Sequence, residues 1–70
     1  DVALTDRELA VLQALARGHT NASAAVALGI SPKTIDSHRT SLMRKFGVSS
    51  TASLLLAAVR AGLLDPKSLR

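Results

Sequence analysis

The sequence predicts an all-α domain of four helices, with a sharp corner between the second and the third. Three observations carry the prediction. Gly18, Gly29, Gly47 and Gly62 each follow a run with helical spacing, and Gly29 supplies the φ > 0 that a helix stop needs. Ser31-Pro32 is a start signal: a hydroxyl N-cap, then a proline at the first helical position. Only Ile30 lies between that stop and that start, so the two helices must meet at an angle, as in a helix-turn-helix.

The first helix opens at Leu4-Thr5-Asp6-Arg7-Glu8-Leu9. Thr5 and Glu8 have capping-box spacing, and Leu4 and Leu9 stand where a hydrophobic staple closes. Leu9, Leu12, Leu15 and Ala16 then share one face, and Gly18 ends the helix, with Arg17 beside its negative end. His19-Thr20-Asn21 is a polar connector, His19 a loop residue without a role. Asn21 is read as the cap of a brief second helix, Ala22 to Leu28, with Ala24, Ala25 and Leu28 inward and Ile30 buried in the turn.

The third helix is predicted over Pro32 to Phe46. Ile35, Leu42 and Phe46 fall in a narrow arc at 100° per residue and form its core stripe. The opposite arc carries Lys33, Ser37, Thr40 and Arg44, flanked by Asp36 and Ser41. Ser49-Ser50 then caps a fourth helix, Thr51 to Ala61, stopped by Gly62. Its middle, Leu54 to Val59, is six apolar residues in a row. An amphipathic helix needs only a stripe. This run is therefore either the seam of a two-fold dimer or the completion of a small core. In the dimer reading Leu55 and Val59 face in, while Leu56 and Arg60 face out. Residues 1–64 form the predicted domain, and 65–70 a polar, frayed tail.

Seventy residues allow one domain with a small core. Lys and Arg outnumber Asp and Glu by 9 to 5, which suits a polyanionic partner but also an ordinary solvated surface. Phe46 is the only aromatic, so base stacking on a single strand is not the expected mode. The absence of cysteine removes disulfides and thiolate metal sites, and fits a reducing cytosol. No apolar run reaches the ~18 residues of a membrane span and no signal peptide is visible. A chain that opens on Asp1 rather than Met is expected to be a piece of a longer protein.

The outer arc of the third helix is polar, hydroxyl-rich and basic, like a strip that lies along a groove. Lys33, Asp36 and Ser37, near its start, are the candidates for base edges; Thr34, Arg39, Thr40 and Arg44 suit phosphates. Lys33 opposes the helix dipole, which asks for another reason for it. Asp36 and Ser37 serve equally as solvent-facing residues. Arg39 lies nearer the core arc and can instead run along the core edge to pair with Glu8. Thr20 and Asn21 open the second helix, whose N–H groups can hold a phosphate. His38 flanks the core stripe and is read as a half-buried, hydrogen-bonded structural residue.

An ordered set of residues spans nearly the whole chain: Leu4-Thr5-x-Arg7-Glu8, then Leu12, Gly18, Asn21, Ala25 and Leu28. It continues with Ile30-Ser31-x-Lys33-Thr34-Ile35-x-x-His38-Arg39, Leu42 and Lys45-Phe46-Gly47-Val48, and closes on Ala61-Gly62-Leu63-Leu64. By this set the chain, from Leu4 to Leu64, resembles the LuxR-type (GerE-like) DNA-binding domain of bacterial transcription regulators. The resemblance implies sequence-specific binding of double-stranded DNA as the output end of a cytoplasmic, nucleoid-associated regulator. It implies a third helix in the major groove, a homodimer through the fourth, and RNA polymerase as a further partner. Asp36 departs from the lysine usual at that position of the family, Ala24 from a bulkier aliphatic, and Thr51 from an arginine. No catalytic residue, metal site or cofactor is expected: the histidines are far apart and Asp36 and His38 diverge on one helix. The rival readings are a helical protein-interaction module that never touches DNA, and the promoter-recognition end of a sigma factor.

Overall fold

Each helix begins on a side chain that captures a free backbone N–H. In a computed structural model, which describes residues 2–68, Thr5 opens α1 (Asp6–Ala16) with the predicted capping box. The Thr5 hydroxyl accepts from the Glu8 N–H at 3.1 Å and the Thr5 N–H donates to Glu8 Oε1 at 3.0 Å. Leu4 and Leu9, the ends of the staple, are half-buried against the core.

The second helix, α2 (Asn21–Leu28), starts one residue earlier than expected. Its cap is Thr20, not Asn21. Thr20 accepts from the Ser23 N–H at 3.1 Å, and Ser23 Oγ accepts from the Thr20 N–H at 2.9 Å. A reciprocal hydroxyl three residues on decides the cap, and Asn21 has no such partner there. Gly29 ends α2 at φ +69, and the Ile30 N–H reaches back to the Ala25 carbonyl at 3.0 Å. Nothing stands within 4 Å of where a Cβ at Gly29 would sit. Gly29→Ala therefore tests backbone strain alone. It is expected to cost about 1 kcal/mol, read as a lower urea midpoint.

The third helix, α3 (Pro32–Phe46), runs as predicted from the Ser31 cap to Gly47. The last, α4 (Thr51–Arg60), is capped by Ser50 and stops one residue short of expectation, with Ala61 as its C-cap. The expected tail contains one 3-10 turn, Pro66–Ser68, begun by the Asp65 carboxylate accepting from the Lys67 N–H at 2.9 Å. Leu69 and Arg70, the end of that tail, lie outside the described residues, as does Asp1.

The core centres on Val11, Leu12, Ile35, Leu42 and Leu54, all fully buried. The third helix packs against both α1 and α2, and α4 closes the far side against α3 and α1. On α4, Leu55 and Val59 pack half-buried against the core as expected, and they flank Leu54 and Ala58, which are buried at the centre of the inner face. Most of the apolar run thus completes this domain's own core, and Leu56 is left half-exposed. Leu28, Ile30 and Phe46, expected inside, are also half-buried. Among the described residues no single helix is long and apolar enough to cross a membrane.

Candidate nucleic-acid interface

Because Ile35 and Leu42 are drawn fully into the core, α3 must turn its opposite arc outward. Lys33, Ser37, Thr40 and Arg44 are all exposed along it, with Asp36 beside them. Among the described residues, none of those first four side chains makes a hydrogen bond or ion pair within the chain. They form a polar strip carrying two cations and two hydroxyls whose donors and acceptors face solvent.

The flanking residues are tied down. Thr34 is half-buried, its hydroxyl 2.8 Å from Ser31 Oγ, so it belongs to the cap of α3. Arg39 is half-buried and does not reach Glu8. Its Nη1 donates to the Thr51 hydroxyl at 2.8 Å and its Nη2 stands 3.7 Å from Asp36 Oδ1. The guanidinium thus links the middle of α3 to the first turn of α4. Ser41, expected to flank the outer strip, turns inward instead and donates to Glu8 Oε2 at 2.8 Å.

Among the described residues Glu8 is the one buried charge. Lys45, near the end of α3, donates to its Oε1 at 2.6 Å and to the Ala3 carbonyl at 3.1 Å. That ammonium and the Thr5 N–H, aided by the Ser41 hydroxyl, hold the Glu8 carboxyl at about 2 against the opposing pull of burial. The first turn of α1 is thereby clamped to the last turns of α3, which sets the tilt of the exposed strip. Nothing in the spacing of the sequence pairs Glu8 with Lys45, since 37 residues separate them.

Thr20 is exposed and Asn21 half-buried at the start of α2. His19 is not an idle loop residue: its Nδ1 lies 3.0 Å from Ser23 Oγ, beside the cap of α2. His38 is half-buried as expected, but none of the side-chain hydrogen bonds among the described residues involves its ring. Val26, on the outward side of α2, is 85% exposed, a feature the inward-looking reading of that helix missed. Leu56 and Arg60 line a groove on the outer side of α4 with Val48, Ser53, Ala57 and Ala61. Among the described residues no group of three or more His, Cys, Asp or Glu side chains could hold a metal ion.

Known proteins share this arrangement. The family model for bacterial regulatory proteins of the luxR family (GerE) matches residues 2–58. The response regulatory protein YgeK of Escherichia coli (strain K12) is 41% identical over 63 residues, which is 90% of this chain and 43% of that protein. The solved structure of the transcription factor GerE superimposes with a TM-score of 0.84 at 34% identity, covering 89% of this chain and 92% of that one. A Vibrio cholerae VqmA–ligand–DNA complex gives a TM-score of 0.84 at 33% identity, covering 99% of this chain and 32% of that one. The chain spans less than half the length of the curated relatives it matches.

Proposed function

The chain belongs to the luxR family of bacterial regulatory proteins, as its helix-turn-helix domain, and on that premise we propose that it binds double-stranded DNA by laying α3 in the major groove. The family is one of regulatory proteins rather than enzymes. The observation that carries the reading is the outward arc of α3, where Lys33, Ser37, Thr40 and Arg44 are exposed and unengaged within the chain. The first half of such a helix points at base edges and its flanks at phosphates. Lys33, Asp36 and Ser37 take the bases. Thr40 and Arg44 take the backbone, while Thr34, engaged with Ser31, holds the start of the helix, and Thr20 and Asn21 at the start of α2 offer N–H groups to a phosphate. Arg39, already engaged with Thr51, meets DNA only through its flank of the strip. The domain, residues 1–64, then acts as the output end of a longer regulator in the bacterial cytoplasm, with RNA polymerase as a partner of the whole protein.

The test is salt. Binding to duplex DNA is expected to weaken steeply as salt rises, with a log–log slope of roughly −0.9 per neutralised phosphate. Arg44→Ala, which removes a phosphate contact, is expected to flatten that slope by roughly 0.9 per site occupied, whereas Lys33→Ala, which removes a base contact, is expected to relax sequence preference at one position. Affinity indifferent to salt, or no shift of any duplex at low salt, would favour the rival protein-interaction module.

The pairing surface is the groove on α4 that Leu56 and Arg60 line. A second copy seated there would set two recognition helices on a two-fold site about one DNA turn apart. Leu56→Asp is expected to weaken self-association by sedimentation while leaving the melting temperature within a few degrees of the parent, because Leu56 is 50% exposed. Unfolding of that variant would assign Leu56 to the core instead.

A further inference from the structure

A carboxylate on a surface meant for a polyanion is repelled unless it finds a donor there. Asp36 is such a group: its side chain is 59% exposed, one residue before Ser37 and one turn after Lys33. Its Oδ1 is 3.7 Å from Arg39 Nη2, close enough for charge attraction and too long for a hydrogen bond. Among the described residues Oδ2 has no partner, so the acceptor capacity of the carboxylate is unspent. Arg39 is itself fixed by its 2.8 Å bond to the Thr51 hydroxyl. A chain of three side chains therefore runs from the first turn of α4 to the edge of the recognition surface.

The major groove narrows the choice of donor. Only the cytosine N4 and adenine N6 amino groups donate there. Adenine places its N7 acceptor beside N6, which opposes a carboxylate. Cytosine carries no acceptor of its own on that edge, and its paired guanine offers O6 and N7 to a cation. Lys33, three residues before Asp36, lies on the same side of the helix to supply one. Resting on the duplex-binding reading above, we propose that Asp36 selects cytosine in the site, and that Arg39, anchored by Thr51, is the positioning residue that aims its carboxylate.

Base preference is the readout, measured with this chain at low salt on duplexes varied one position at a time. The parent is expected to favour a C·G pair at one position per half-site by roughly tenfold. Asp36→Asn should move that preference to adenine, whose N6 and N7 an amide can bond together, and Asp36→Ala should erase it. Thr51→Val should shrink the preference at the same position without changing the salt slope, and Thr51→Ser, which keeps the hydroxyl, should restore it. If Asp36→Asn and Asp36→Ala both select the parent's site at every position, Asp36 does not read a base. If Thr51→Val leaves the preference intact, the positioning role of Arg39 is overturned. Failure of every variant and the parent to retain any duplex would instead remove the duplex-binding reading, and this assignment with it.

Discussion

Leu42→Ala is expected to lower stability by about 3 kcal/mol, the middle of the range for emptying a leucine site in a core. Leu42 has no solvent exposure, and it belongs to the buried cluster that α3 shares with the other three helices. That cluster includes fully buried side chains on each of the other helices, so collapse around an emptied site is limited. A domain of 70 residues holds only ~4–10 kcal/mol in total. The loss should therefore lower the melting midpoint by roughly 15 °C, and calorimetry or circular dichroism on heating would read it. A shift of a degree or two would mean that Leu42 is not the keystone its burial indicates. DNA binding should fall with the folded fraction, although Leu42 touches no ligand. At a temperature where the variant is still folded, its salt slope should match the parent's.

Glu8→Ala is expected to cost about 2 kcal/mol at neutral pH. Removing one member of a buried pair typically costs ~3–5 kcal/mol, and the figure is reduced here because the Lys45 side chain is 36% exposed and regains water. The substitution leaves the Ser41 hydroxyl without its acceptor and the Lys45 ammonium with only the Ala3 carbonyl, and it removes the return bond of the α1 capping box. Acid should erase the difference between parent and variant. The Glu8 carboxyl ionises at about 2 in the folded chain and near 4.5 when unfolded. Its stabilisation is therefore fully present above pH 4.5 and lost as pH falls towards about 2. Urea midpoints at neutral pH and near the lower end of that window would test this. A parent–variant gap that does not narrow in acid would show that the cost comes from lost contacts rather than from the charge. Because the clamp fixes the end of α3, the variant should also bind duplex more weakly than its folded fraction accounts for.

The legible part of the molecule was the part written in local chemistry. Thr5 with Glu8, Ser31 with Pro32, and Gly29 and Gly47 each act within a few residues, so the start of α1, the end of α2 and both ends of α3 follow from neighbours along the chain. The same holds for the strip Lys33, Ser37, Thr40 and Arg44, because a helix whose core stripe is known has its outer face known too. The cap of α2 was missed for a local reason: Thr20 and Asn21 can both cap, and Ser23 at the matching distance was the signal in favour of Thr20.

Other features depended on which helix lies against which. The inner face of α4 centres on Leu54 and Ala58, but a run of six apolar residues has no amphipathic phase from which to read that. Helical spacing puts Ser41 beside the outer strip, but Glu8 on α1 draws its hydroxyl inward, and Arg39 meets Thr51 rather than Glu8.

By itself the sequence determined the helices, their order, the corner at Ile30 and the polar outer face of α3, because caps, stops and periodicity are short-range. Tertiary structure alone decided that Glu8 meets Lys45, that Arg39 meets Thr51, and how much of α4 is left for a partner. Those contacts join residues far apart in the chain, and only the angles at which four helices settle on a shared core bring them within reach.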